Sequence, residues 1–247
     1  MSRHKAEEGE GASTLIALLC ALYILVLVVG VAGATQPAAH SDAGSIGSED
    51  GLTVSPAPAA PADVPPEFWA YREIMACTAA GIVQGYPDGL YHPELQIDRG
   101  STATFIAKAM LGGEGAPPIA SAGATFADVP ADFWAAECIQ YAAESNAVTG
   151  YPDGTFRPES PVDRGQMAVF IARSVVTPVG EEGLAAYIPP ATPTFSDVPA
   201  SSWCFKHVEY LAAARVASGY SDGTYRPEVV VTRDQMAVYV ARAFGID

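Results

Sequence analysis

Basic residues are scarce in this sequence. Lysine and arginine together number 13 against 28 aspartates and glutamates, a formal net charge of −15 over 247 residues. No basic stripe is available to neutralise a phosphate backbone, which excludes nucleic acid as a partner. Nonspecific adhesion to an anionic surface is excluded on the same ground, so an acidic ligand would have to be held by a few well-placed arginines. Cysteine is also sparse: Cys20, Cys77, Cys138 and Cys204 fall at irregular spacings with no CxxC pair. They define neither a zinc site nor a disulfide framework. The four histidines (His4, His40, His92, His207) share no common register, and neither a nucleophile–base pattern nor a phosphate loop is present. The expectation is a protein that is not an enzyme, with no metal and no cofactor.

The first quarter of the chain has too little patterned apolar sequence to build a core. Thr14 to Ala34 is an uncharged run of 21 residues preceded by Arg3, His4 and Lys5. It is long enough to cross a bilayer as a helix, and it ends in Ala32-Gly33-Ala34, a small-x-small pattern of the kind read by signal peptidase. Residues 1–34 therefore read as a signal peptide or a transmembrane anchor, and under either reading everything after them is exported. The acidic lead into this segment weakly resembles the start of pilin-like proteins. Residues 35–60 are rich in Pro, Ala, Ser and Gly and read as a disordered tether.

From Asp63 onward the chain repeats. The tryptophans Trp69, Trp134 and Trp203 are separated by 65 and then 69 residues, as are Gly85, Gly150 and Gly219, and Arg99, Arg164 and Arg233. Trp to Gly is 16 residues and Gly to Arg is 14 in every copy. The difference in period thus lies in the connectors, the signature of a repeated structural unit. The units are bounded at 61–112, 124–176 and 193–247. Each reads as helix, loop, helix. The first helix is expected after Asp-Val-Pro, where proline suits a helix entry, with Trp134, Ile139, Ala142 and Ala143 on one face in copy two. It ends near Gly81, Asn146 or Arg215. The second helix is expected to open on a capping box, Asp163-Arg164-Gly165-Gln166 and Thr232-Arg233-Asp234-Gln235, with Asp98 and Ser101 in copy one. Units of this size cannot each bury a core, so the three should pack together as a mainly α module.

Between the helices lies a ten-residue loop, GYPDGLYHPE from Gly85, GYPDGTFRPE from Gly150 and GYSDGTYRPE from Gly219. The Pro-Asp-Gly order suits a tight turn with a positive φ at glycine. A calcium loop needs several alternating oxygens, whereas each copy offers one Asp (Asp88, Asp153, Asp222) and a Glu six residues on. The turn reading is preferred. The aromatics after it (Tyr91, Phe156, Tyr225) should plug the core, and Arg157 and Arg226 should pack against the turn. Cys77 aligns with Ala142 and Leu211 and reads as a buried, inert thiol; the pairing state of Cys138 and Cys204 is open.

Phe126-Ala-Asp128-Val129-Pro130, Trp134, the Gly150–Glu159 loop and Val162-Asp163-Arg164-Gly165-Gln166-Met167-Ala168 resemble an S-layer homology domain. Copy three matches about as well. Copy one is weaker, with Pro61 in place of the leading Phe and His92 in place of Arg. The resemblance implies three motifs in one pseudo-threefold helical module. It also implies binding of cell-wall-linked polysaccharide, often pyruvylated, or another envelope polymer, in grooves between motifs. The site residues it implies are Asp63, Trp69 and Arg99; Asp128, Trp134 and Arg164; and Asp197, Trp203 and Arg233. Its usual Thr-Arg-Ala-Glu reads here Asp-Arg-Gly-Ser, Asp-Arg-Gly-Gln and Thr-Arg-Asp-Gln.

Physical chemistry supports these choices independently. An arginine one residue past an N-cap would sit beside free helix N–H groups, a seat for a carboxylate or phosphate. A tryptophan face can pack on a sugar while an Asp accepts from its hydroxyls. Plainer readings stand beside them: the tryptophans as core anchors, the aspartates as N-caps, the arginines as surface partners for carboxylates. The functional expectation is a noncatalytic envelope-binding module partnered by wall polysaccharide, and by membrane through residues 14–34 if that segment is retained. The alternative is a surface-layer or pilus-like subunit whose repeats bind protein.

Overall fold

A computed structural model describes residues 60–113, 115, 117 and 126–247. Within them each copy contributes two helices and no strand longer than an isolated bridge. The shorter helices are α1 (Tyr71–Ala79), α3 (Ala136–Glu144) and α5 (Phe205–Ala213). The longer ones are α2 (Arg99–Met110), α4 (Arg164–Ser174) and α6 (Arg233–Phe244). The apolar segment 14–34 and nearly all of the tether lie outside the described residues. Among the described residues no helix is long and apolar enough to cross a membrane.

The short helices follow Asp-Val-Pro as expected, but they start late enough to leave the tryptophan outside them. Each begins two residues after its tryptophan, and the preceding residue (Ala70, Ala135 or Cys204) makes no side-chain cap. The expected stripe is accordingly shortened: Ile139 and Ala142 are buried, but Trp134 lies ahead of the helix and is 64% exposed. The helix ends follow local rules closely. Gly81, Asn146 and Arg215 adopt left-handed φ values of 71°, 62° and 59°. The next N–H in each case bonds back to a carbonyl five residues earlier, as in Ala147 to Ala142 at 2.9 Å. This Schellman closure satisfies carbonyls the helix would otherwise leave unpaired.

The long helices open on the expected caps in two copies. Asp98 Oδ1 accepts from the Ser101 N–H at 2.7 Å, and Asp163 Oδ1 from the Gln166 N–H at 2.7 Å. Copy three departs: Thr232 makes no capping bond, and its hydroxyl instead donates to Asp234, whose Oδ1 also accepts from the Gln235 N–H. An aspartate inside the first turn has displaced the threonine from its capping role.

The two helices of one copy do not pack on each other. Instead α3 packs on α2, α5 on α4, and α1 on α6, so each short helix covers the long helix of the preceding copy and the last copy is covered by the first. The long helices α2, α4 and α6 meet one another at the centre. Around that centre the residues just before them form a closed cycle of hydrogen bonds: Ile97 N–H to Val231 O, Val231 N–H to Val162 O, and Val162 N–H to Ile97 O, at 2.9, 2.9 and 3.0 Å. All three side chains are essentially inaccessible. Each buried aliphatic of this size contributes about 1.5–3 kcal/mol. The result is a mainly α module of three helix–loop–helix repeats with approximate threefold symmetry. Tyr91, Phe156 and Tyr225, all 0% exposed, plug it from the loops as expected.

Three grooves between the copies

The loop that is most legible in the sequence folds as a turn. In copy two the Tyr151 N–H donates to Thr155 O at 2.7 Å, and Gly154 sits at φ 81°. Asp153 Oδ1 accepts from the N–H and hydroxyl of Thr155, and Oδ2 from Arg157 Nη2 at 2.8 Å. Copy three repeats every contact through Asp222, Thr224 and Arg226. Hydrogen bonds from the threonine hydroxyl, then the arginine, hold both carboxyls down at a pKa of about 2. Arg157 and Arg226 lie flat over Tyr151 and Tyr220 at 3.9 Å, which places them against the turn as expected, but on its exposed side.

The aspartates of the Asp-Val segment clamp this loop from outside. Asp128 accepts from two consecutive backbone groups, the N–H of Phe156 and of Arg157, both at 2.7 Å. Asp63 does the same for Tyr91 and His92, and Asp197 for Tyr225 and Arg226. The residue donating the second bond (His92, Arg157 or Arg226) carries a positive φ of 55–59°. The clamp therefore holds a conformation that an L-residue adopts reluctantly. The aspartates are not N-caps of their own helices, whose preceding residues are Ala70, Ala135 and Cys204.

The repeated arginines are buried, with 3–5% of their surface exposed. Each reaches across to the loop of the next copy. Arg164 Nε donates to Tyr225 O at 2.8 Å, Nη2 to Ser218 O at 2.9 Å, and Nη1 to the Tyr239 hydroxyl. Arg99 makes the matching bonds to Phe156 O, Thr149 O and Gln166, and Arg233 to Tyr91 O and Gln84 O. Each guanidinium also lies against aromatic rings of that next copy, as Arg164 does over Tyr225 at 4.3 Å. The expectation of free N–H groups beside them is not met. The N–H of Arg164 bonds to Val229 O and that of Gly165 to Pro227 O, both at 2.9 Å, and the other two copies repeat the pattern. Nor are the arginines surface partners for carboxylates.

The tryptophans are exposed rather than core: Trp69 and Trp203 at 59%, Trp134 at 64%. Each stands over the residue that follows the arginine of the preceding copy. Trp134 lies against Gly100 and Trp203 against Gly165, where an added Cβ would come within 3.6 Å and 2.9 Å of the respective rings. In copy three an aspartate occupies that place, and Trp69 Nε1 donates to Asp234 Oδ2 at 2.9 Å.

Arginine and tryptophan thus meet at three equivalent grooves, each assembled from all three copies. One wall is a loop tyrosine, the floor is the long helix of the same copy, the inner corner is the arginine of the copy before, and the lip is the tryptophan of the copy after. The Trp134 groove combines Tyr86, Phe105 and Lys108 with Arg233 and has a volume of about 400 Å³. The Trp203 groove combines Tyr151, Phe170 and Arg173 with Arg99, at about 370 Å³. The Trp69 groove combines Tyr220, Tyr239 and Arg242 with Arg164, at about 220 Å³.

Sequence reasoning missed the outer cations Lys108, Arg173 and Arg242. They occupy one register of the repeat, nine residues after each buried arginine, and that shared register was the available signal. Lys108 and Arg242 have no ion pair among the described residues. Arg173 does: its Nε and Nη2 both reach Glu181 Oε1 at 2.8 Å, and His207 Nε2 reaches the same oxygen at 2.6 Å. Burial raises the Glu181 pKa, but the bonds from Arg173 and His207 outweigh it and hold the carboxyl below its ordinary range. Burial lowers the His207 pKa, which favours the neutral ring, so the charge that holds Glu181 is the guanidinium.

Among the described residues no cluster of His, Cys, Asp and Glu is arranged to hold a metal. Cys77, Cys138 and Cys204 are unpaired thiols, and burial pushes Cys77 up to about 12, in keeping with an inert side chain.

The S-layer homology domain model matches this chain three times, at residues 63–103, 125–168 and 194–237. The chain is 32% identical over 163 residues to cell surface glycoprotein 1 of Acetivibrio thermocellus, covering 65% of this chain and 7% of that protein. It is 31% identical over 166 residues to the cellulosome-anchoring protein of the same organism, covering 66% of this chain and 35% of the other. It is 32% identical over 129 residues to an S-layer protein of Bacillus licheniformis, covering 52% and 14%. The chain therefore spans about a third or less of these relatives.

Proposed function

The chain belongs to the S-layer homology domain family, and on that premise we propose that its three grooves bind a cell-wall-linked polysaccharide carrying carboxylate groups, of the pyruvylated type, and so hold the protein noncatalytically at the cell surface. The observation that carries this reading is the exposure of all three tryptophans, each beside an aromatic wall and a basic side chain. Exposing a large ring has a solvation cost unless something covers it, and an indole face suits the apolar side of a sugar. Lys108 and Arg242 supply positive charge for an acidic substituent, while the buried arginines fix the inner corner of the groove through their bonds to the loop carbonyls. The names of the relatives, an anchoring protein and an S-layer protein among them, point the same way.

The test is sedimentation of the purified protein with isolated cell-wall sacculi, before and after the wall polysaccharide is stripped. Binding should be lost on stripping. Trp134→Ala should weaken it roughly tenfold with unchanged thermal stability, whereas Trp69→Ala should weaken it and also lower stability, because it removes the bond to the buried Asp234. Equal binding to stripped and intact sacculi would refute the polysaccharide reading, and protein–protein assembly would then be the better account.

A further inference from the structure

The three grooves share a framework but differ in charge, and the difference comes from a segment outside the repeat pattern. The connector between copies two and three folds back on α4. The Gly180 N–H donates to Arg173 O at 2.9 Å, with Gly180 at φ 105° against Asn146, and Leu184 is fully buried. Both features fix the residue between them, Glu181. Its carboxylate enters the Trp203 groove and meets Arg173, which occupies the register held by Lys108 and Arg242 in the other two. Every hydrogen bond to it from the described residues reaches Oε1, so Oε2 remains as an acceptor on a side chain that is about half exposed.

An acidic sugar entering this groove would find its cation already paired and a second negative charge beside it. The inner arginine is committed elsewhere: Arg99 is almost fully buried, and each of its three side-chain nitrogens already donates, to Phe156 O, Gln166 Oε1 and Thr149 O. In the Trp134 groove Asp98 also lines the wall, but one of its oxygens caps α2 and it forms no ion pair with Lys108. In the Trp69 groove Asp234 is buried against the indole N–H and the first turn of α6, and Arg242 stays unpaired among the described residues.

We propose that Glu181 is the selectivity residue of the Trp203 groove: it fills the anion position beside Arg173, so that this groove takes a neutral sugar residue, with Oε2 accepting from a hydroxyl, while the Trp134 and Trp69 grooves take the acidic residues. The inference rests on the grooves being saccharide sites. It predicts a polymer bound as an alternation of charged and uncharged units rather than through three like contacts.

The chain has three tryptophans, one per groove, so three indole N–H resonances report the grooves separately. The probes are methyl glucuronoside and methyl glucoside, which share a ring and differ in the carboxylate, titrated into the full chain and into Glu181→Gln. The substituted side chain is about half exposed and its replacement keeps size and one acceptor, so the variant should fold. In the wild type the glucuronoside should move the Trp69 and Trp134 resonances and leave Trp203 in place, while the glucoside moves Trp203. In Glu181→Gln the glucuronoside should also move Trp203, with apparent affinity there raised about tenfold or more. A Trp203 response to the glucuronoside in the wild type equal to the other two would overturn the proposal, as would continued silence of Trp203 in Glu181→Gln while Trp69 and Trp134 respond. Silence of all three rings toward both probes would instead remove the saccharide reading itself.

Discussion

Replacing Arg164 by alanine should destabilise the fold before it affects any ligand. The guanidinium makes three hydrogen bonds to copy three, to Tyr225 O, Ser218 O and the Tyr239 hydroxyl, and stacks over Tyr225. Hydrogen bonds to a charged group contribute about 1.5–3 kcal/mol each, and a partly desolvated cation–π contact about 0.5–2 kcal/mol. Water can enter the groove behind the deleted side chain and meet the two carbonyls, which removes part of that sum. The expected loss is therefore about 3–5 kcal/mol, a large share of the roughly 5–15 kcal/mol typical of a domain. Equilibrium denaturation in guanidinium chloride, followed by tryptophan fluorescence and by far-ultraviolet circular dichroism, should show the midpoint falling with both probes together. Arg164→Lys should recover only part of the loss, because an ammonium cannot reproduce the planar fork. If Arg164→Ala were within about 1 kcal/mol of the wild type yet lost sacculus binding, the arginine would be a ligand residue and the structural assignment would be wrong.

Two further outcomes follow from the loops. Gly150→Ala should cost about 1–3 kcal/mol, because an added Cβ would lie 2.6 Å from Thr155 O and closer still to the Phe126 ring. Gly85→Ala should cost less, since its nearest neighbour is Leu90 O at 2.8 Å and copy one has Pro61 where copy two has Phe126; thermal midpoints that rank the two variants the other way would contradict this packing. Asp153 and Asp222 have folded-state pKa values of about 2, below the ordinary 3.8, so their contribution to stability is fully present above about pH 4 and is lost as pH falls through about 2. Carboxyl carbon shifts followed against pH should show both midpoints near 2, and midpoints at the ordinary value would show that the threonine and arginine bonds do not persist in solution.

Much of this structure could be read before it was seen, and the division is physical. The Asp-Gly turn, the aromatic plugs and the left-handed helix ends at Gly81, Asn146 and Arg215 depend on residues within a few positions of one another. Spacing and turn chemistry report such features directly. The misreadings concern partners supplied by another copy. The helix-start N–H groups of Arg164 and Gly165 looked free because the carbonyls that meet them, Val229 O and Pro227 O, lie more than sixty residues away in the chain. Asp128 looked like an N-cap because its true partners, the Phe156 and Arg157 amides, follow 28 and 29 residues later. Glu181 was invisible for a different reason: it belongs to the connector, which has no counterpart register in the other copies to draw attention to it.

The closure of α1 onto α6 makes the choice of first copy arbitrary. Since every short helix rests on the long helix of whichever copy precedes it around the ring, the module has no structurally privileged beginning. A circularly permuted chain that runs copy two, copy three, copy one, with a new linker where α6 meets copy one and a break in the 114–125 connector, would present the same six helices to the same neighbours. What such a chain would lose is only the present bond between sequence order and spatial order. Deleting any one copy is a different matter, because it leaves one long helix uncovered and opens the hydrogen-bonded cycle through Ile97, Val162 and Val231.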